Sequence, residues 1–235
     1  MKKVVRVLMY VLLIGALILG NMSITEVSAA AKKSKKIIVI DPGHQKKANL
    51  DKEPIGPGSK TKKYKVAGGT SGESSTNLAI AKKLRTELEK RGYQVYMTRT
   101  SQDVDISNKE RAQYANKKKA DAVIHIHCDA GSKSSKGAHT IAPASTKYVS
   151  SSVKKKSQKL AKNVINSYCE KTKIKNRGVS KRDDLTGLNW SKVPAIFIEC
   201  GFLTNKSEKK KLKNGKFQKK MAVGMANGID DYFGK

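Results

Sequence analysis

The sequence predicts an α/β protein: a single three-layer domain with a twisted, mostly parallel sheet between helices and a metal site at the C-terminal ends of the strands. Three observations carry this expectation. Short apolar runs at residues 37–40, 122–126 and 195–198 read as buried strands. Segments of helical period separate them, as in parallel β-α-β units. The strands also end in histidines or a glutamate, at the place where open α/β sheets bind ligands.

Residues 1–30 have a basic start, an apolar run from Val7 to Leu19 and the small-residue ending Val27-Ser28-Ala29-Ala30. That is the form of a secretory signal peptide, cleaved after Ala29 or Ala30. The apolar run is short for a spanning helix, which argues against an uncleaved anchor. Residues 31–235 then form one domain, long enough to bury its own core.

A lysine-rich leader from Lys32 to Lys36 precedes the first strand, Ile37-Ile38-Val39-Ile40, which runs into Asp41-Pro42-Gly43-His44 and so ends on a histidine. Residues 45–72, rich in Gly, Lys, Pro and Ser without a sustained period, read as a long loop beside the site. From Glu73 the pattern turns helical. Ile80, Leu84 and Leu88 share one stripe, which counted back reaches Asn77 and Glu73, and Arg91-Gly92 ends the helix. A start at Glu73 turns that carboxylate toward the sheet, whereas a cap within Ser74-Ser75-Thr76 would begin the helix a turn later.

A strand over Gln94–Thr98, a helix around Lys109–Lys118 and a strong apolar strand over Ala122–His127 follow. Gly137–Ala142 is a weaker strand, and Ser151–Glu170 a helix with Val153, Leu160, Val164 and Ile165 inward. Ala195–Glu199 is another buried strand, and a helix over roughly Phe217–Phe233 closes the chain. There is no internal repeat and no Pro/Ser linker to a second module.

His44, the His125/His127 pair and Glu199 therefore converge at the strand ends, with Glu73 at a helix start: a His, Glu, His metal set plus a free glutamate. Two neutral imidazoles and one carboxylate leave a fourth tetrahedral position open, the pattern of a catalytic rather than a structural zinc. Zn2+ lowers the pKa of its water from about 15.7 to ~7, and a nearby carboxylate, here Glu199, takes and returns the proton. Each residue also has a plainer reading. A strand-end histidine is more often a hydrogen-bonded core or rim residue, Glu73 could serve the helix dipole with Glu53 as rival ligand, and Glu199 could close a buried ion pair. His125 shares a strand face with His127, which suggests support of the metal or contact with substrate, against packing on the neighbouring helix. His139 reads as a rim residue. Cys128, Cys169 and Cys200 are too few and too odd in number for a disulfide framework. Alternation turns Cys128 and Cys200 into the layer behind the site as buried free thiols.

The runs IIVIDPGHQ, ESSTNLAIAKKLRTELEKRGYQVYMTR, NKERAQYANKKKADAVIHIH and VPAIFIECGFLTN resemble, in this order, the motifs of the type-3 family of zinc-dependent N-acetylmuramoyl-L-alanine amidases, over nearly all of residues 36–233. The resemblance implies that His44, Glu73 and His127 bind zinc and that Glu199 is the catalytic acid/base. It implies hydrolysis, by a zinc-activated water, of the amide between N-acetylmuramic acid and L-alanine in peptidoglycan. Residues 177–179 and 183–190 resemble the family's loop before the catalytic strand, expected to line the substrate groove. Arg177 and Asn189, with His125 and Asp129, are the candidate substrate contacts. Trp190 would stack on a sugar or, the favoured reading, anchor that loop. Departures are Gln45 where glycine is common, Asp129 for a frequent asparagine, His125 for a serine or other polar residue, and a longer gap between His44 and Glu73. The alternative is a secreted wall-binding protein that keeps the amidase fold with little catalysis; the complete residue set speaks against it. A peptidase of another zinc class would need a signature such as H-E-x-x-H, which the sequence lacks.

Removal of residues 1–30 takes three positive charges (Lys2, Lys3, Arg6) and one negative (Glu26) from +30, leaving +28. Such a field favours polyanions. For an exported protein these are peptidoglycan and the anionic wall polymers, teichoic acids among them, rather than nucleic acid; a lysine surface kept for solubility is the alternative. The expected location is extracellular and cell-wall associated, with no stable membrane anchor after cleavage.

Overall fold

Ile38 and Ile40 of β1 (Ile37–Pro42) turn to one side and Val39 to the other, and all three are fully buried. The same division holds in β5 (Ala122–Asp129) and β8 (Ala195–Phe202). Ile124, Ile126, Ile196 and Ile198 join the larger core cluster, and Val123 and Ala195 the smaller one. Strands covered on both faces have no solvated side to make polar, which is why their sequences read as continuous apolar runs.

The computed structural model describes residues 34–235, so the signal peptide expected over residues 1–30 lies outside the described residues. With β4 (Gln94–Met97), β6 (Ala138–Pro143) and β7 (Asn176–Arg182), these strands build a six-stranded sheet in the order β4-β1-β5-β8-β6-β7. Every neighbouring pair is parallel except β6 with β8. The weak strand at 138–143 is therefore internal to the sheet.

Three long helices cover one face: α1 (Glu73–Lys90), α3 (Ser151–Thr172) and α6 (Gly215–Phe233). Leu84 and Leu88, Leu160 and Val164, and Met221 and Met225 carry their apolar stripes into the larger core. The α3 and α6 backbones meet closely, since a Cβ on Gly228 would stand 2.4 Å from Val164 Cα. On the other face lie α2 (Asn108–Lys117) and the single turn α4 (Thr186–Asn189). Ser107 starts α2 with a reciprocal cap: its hydroxyl accepts from Glu110 N–H at 3.1 Å, and the Glu110 carboxylate accepts from Ser107 N–H at 2.8 Å.

Two stretches expected to be loop are ordered strands. Within residues 45–72, β2 (Asn49–Pro54) and β3 (Lys62–Val66) form an antiparallel hairpin that pairs Lys52 with Tyr64 and Glu53 with Lys63. Most of its side chains are exposed, so no apolar alternation marks it. Residues 176–182, expected to begin the groove loop, are the polar edge strand β7; Arg177, Lys181 and Arg182 suit an edge that must not pair further. A further helix, α5 (Lys206–Leu212), was not marked by an apolar stripe, because only Leu212 and Glu208 of it are buried. Among the described residues no helix is long and apolar enough to cross a membrane.

Candidate metal centre

The turn after β1 is held by hydrogen bonds that begin in the sheet. Gly43 N–H donates to Ile126 O at 2.9 Å, and His44 then takes a left-handed backbone conformation with φ 58°. A non-glycine residue there is strained by roughly 1–3 kcal/mol and persists only where its surroundings enforce it. A Cβ on Gly43 would lie 2.1 Å from His127 Nε2, so glycine lets that imidazole lie against the turn. His44 Nδ1 donates to Ala67 O at 2.8 Å. Because a carbonyl can only accept, Nδ1 carries a proton, which leaves Nε2, the nitrogen that faces Glu73, as the one able to bind a metal once its own proton is displaced.

Glu73 opens α1, as the stripe in the sequence requires, and is buried. Its Oε1 lies 3.1 Å from His44 Nε2 and 3.3 Å from His127 Nδ1. Cys128 N–H reaches Oε1 at 3.3 Å, and Thr70 N–H donates to Oε2 at 2.9 Å. Ligand atoms of His44, Glu73 and His127 all lie within 4.8 Å of one another. Metal bonds of roughly 2.0–2.1 Å in a tetrahedron place neighbouring ligand atoms about 3.3 Å apart, so two edges of this triangle already have that length. The donor set fits a zinc ion with an open position.

Contacts among these groups shift their proton affinities. Burial opposes ionisation of Glu73, but hydrogen bonds from His127 and His44 outweigh it and hold the carboxyl below its ordinary value. Burial also works against protonating His44, yet its contact with Glu73 leaves the imidazole raised. For His127 burial prevails and the pKa is lowered.

Glu199 stands on β8 in direct register with His127 on β5, so the two share a sheet face. Its Oε2 is buried and has no hydrogen-bond partner among the described residues. Burial first, then the negative charges of Asp129 and Glu73, push its pKa well above the usual carboxylate range. A carboxyl with this proton affinity beside a metal set is suited to proton transfer.

His125 is on the expected face but not in the groove. It is buried, its Nδ1 is 2.7 Å from Asp41 Oδ2, and it stacks on Phe197 with ring centroids 4.4 Å apart. The expectation of a substrate contact is corrected: His125 belongs to a buried network beneath the site. That network escaped sequence reasoning. Arg111 donates to Asp41 Oδ1 at 2.7 Å, Pro42 O at 3.0 Å and His44 O at 3.1 Å. Arg99 donates to Pro42 O, Gly43 O and Ser74 O at 2.9–3.0 Å. The two guanidiniums thus fix the His44 turn and the start of α1 together. The one signal was Arg111 itself, a charge on the buried stripe of α2 beside Ala112 and Ala115. Arg111→Met, which leaves Asp41 buried without its main cation, is expected to destabilise the fold by about 3–5 kcal/mol. A denaturant titration with an unchanged midpoint would refute this.

The other candidate contacts divide. Asn189 is buried and its amide donates to Asp183 O at 2.9 Å, so it fixes the loop rather than facing substrate, a second correction. Trp190 donates from Nε1 to Pro54 O at 2.9 Å and carries Lys109 Nζ 4.4 Å from its ring centroid. It anchors the loop to the hairpin. Arg177 projects from β7 over the Phe202 ring at 5.2 Å. Asp129 lies at the end of β5, with Oδ2 4.0 Å from His139 Nδ1. His139 is not part of the metal set but pairs in register with Glu199 across β6 and β8. Cys128, Cys169 and Cys200 are buried and free. A groove of about 450 Å³ runs from His44 and His127 past Phe197, Leu185 and Gly187 to the hairpin.

The N-acetylmuramoyl-L-alanine amidase family, Amidase_3, matches residues 38–231. The amidase LytC of Bacillus subtilis is 28% identical over 221 residues, 92% of this chain and 40% of LytC, so the chain spans less than half of that relative. The N-acetylmuramoyl-L-alanine amidase of Clostridium difficile 630 superposes with a TM-score of 0.67 at 33% identity, over 86% of this chain and 98% of that one. Ami1 of Mycobacterium smegmatis shares the fold, with a TM-score of 0.77 at 24% identity over 86% of this chain and 99% of that one. With four ordered sequence motifs, the sheet topology and a matching profile along nearly the whole described domain, this chain belongs to the N-acetylmuramoyl-L-alanine amidase family.

Proposed function

We propose that the protein hydrolyses the amide between N-acetylmuramic acid and L-alanine in peptidoglycan, with zinc held by His44, Glu73 and His127 and with Glu199 as acid/base. The observation that carries this reading is the His, Glu, His cluster with, in register beside it, a glutamate whose Oε2 is buried and unpartnered among the described residues. Zinc, when bound, supplies Lewis-acid polarisation of the scissile carbonyl and acidifies a coordinated water. Glu199 accepts the proton of the attacking water and returns it to the departing alanine nitrogen. Arg99 and Arg111 hold the His44 turn, and Ala67 O fixes the His44 tautomer. Digestion of purified peptidoglycan tests the reading: new alanine amino termini are expected. New reducing ends, or cleaved peptide cross-links without alanine termini, would overturn it.

The proposal includes export, with residues 1–30 as a signal peptide, and retention outside the cell by anionic wall polymers. Eight lysines from Lys206 to Lys220, on α5, the start of α6 and the connection between them, support it. All eight are exposed, and none enters an ion pair among the described residues. The one acid of the segment, Glu208, turns inward to accept from Gly137 N–H and Phe202 N–H, each at 2.8 Å. Binding to whole walls is expected to weaken steeply as salt rises from low to physiological strength, where the screening length falls to about 8 Å. A sedimentation assay giving salt-insensitive binding would remove the electrostatic account.

A further inference from the structure

The β2–β3 hairpin places charge where the proposed chemistry does not require it. Register pairs Lys52 with Tyr64, and Lys62 stands two residues before Tyr64, so these three side chains share one face of the hairpin. All three are exposed, and all three line the groove that begins at His44 and His127. Lys63 lines it too but is occupied: its ammonium donates to Asp184 Oδ2 at 2.8 Å and to Asp184 O at 2.9 Å. Arg182 also holds Asp184, at 2.7 Å. Lys52 and Lys62 enter no ion pair among the described residues. Asp184, the one carboxylate lining this groove, is already paired, so the hairpin wall is positive, while Phe197 and Leu185 keep the rest apolar.

We propose that this hairpin is a specificity element that reads an ionised carboxylate on the peptide arm of the substrate through Lys52 and Lys62, with Tyr64 packing against the peptide between them. The inference rests on the amidase reading. Two arms meet at the scissile amide. The sugar arm has consumed its lactyl carboxyl in that amide and is uncharged there, whereas the peptide arm carries ionised carboxylates. A positive wall matches the second, which places the peptide along the hairpin. A groove of about 450 Å³ has room for a few residues of such a chain.

The test uses the zinc-loaded full domain and two muramoyl peptides that differ only in whether the acidic residue carries a carboxylate or a carboxamide. The acid is expected to be the better substrate by about tenfold in kcat/KM, mostly through KM, as loss of a hydrogen bond to a charged group implies. Joint Lys52→Gln and Lys62→Gln substitution should bring the ratio close to one, and Lys62→Glu should favour the carboxamide. Lys82→Gln, an exposed change on α1, should leave the ratio as it was. Equal kcat/KM for both substrates in the unaltered protein, or a ratio that survives the double substitution, overturns the hairpin assignment. A binding arm separates this from the reaction itself. Titration of the acid and carboxamide alanyl peptides into Glu199→Gln protein reports carboxylate preference without turnover. Equal affinities there sink the inference even if peptidoglycan yields alanine termini and the amidase reading stands.

Discussion

Glu199→Gln protein is expected to bind zinc as the parent does and to lose about 10²–10⁴ of kcat, the contribution typical of a positioned acid/base. The substitution keeps the shape of the side chain and removes its ability to take up and release a proton. It should be tolerated structurally, because Glu199 Oε2 has no partner among the described residues to lose. Glu199 is outside the His44, Glu73, His127 set, so metal content should be unchanged. Turnover at near-native rate with full zinc would mean that another group moves the proton, and His139, in register across the strand pair, would be examined next.

Metal removal should have an effect at least as large. A chelator is expected to abolish wall hydrolysis and added zinc to restore it; full activity of metal-free protein would end the mechanism. Glu73→Ala should weaken zinc binding by more than the ~10–100-fold that loss of a supporting hydrogen bond costs, since it removes one of the three proposed ligands. Affinity should also fall with pH in a predictable direction. His44 in the metal-free protein holds its proton more tightly than an ordinary imidazole, because Glu73 accepts from it. Zinc must displace that proton, so binding weakens as pH falls through the raised His44 value and releases a proton in that window. Calorimetry in buffers of different ionisation enthalpy measures the proton count. No release near neutral pH would show that His44 is not displaced.

The parts of the fold legible in the sequence are those that a single physical pressure specifies. β1, β5 and β8 are buried on both faces, so their sequences are apolar throughout and end where the strand meets the site. The start of α1 at Glu73 could be counted back from Ile80, Leu84 and Leu88 because a helix repeats its facing at fixed intervals. The β2–β3 hairpin could not be read this way. It is held by backbone pairing, by Trp190 donating to Pro54 O and by Lys63 on Asp184, across 136 and 121 residues of sequence respectively. Nor could period two distinguish the roles of His125 and His127. It places both on one face, but only the sheet shows Asp41 of β1 paired with His125, which draws the inner imidazole into the buried arginine network.

By itself, the sequence determined the α/β class, the positions of the three central strands, and the candidacy of His44, Glu73, His127 and Glu199, because local periodicity and strand-end position are properties of neighbouring residues. Only the tertiary structure decided that Glu73 closes the distance to both imidazoles, that Arg99 and Arg111 hold the turn presenting His44, and that a lysine-faced hairpin walls the groove. Those contacts join segments far apart along the chain. Their partners are chosen by how helices and strands stack, and no local pattern encodes that choice.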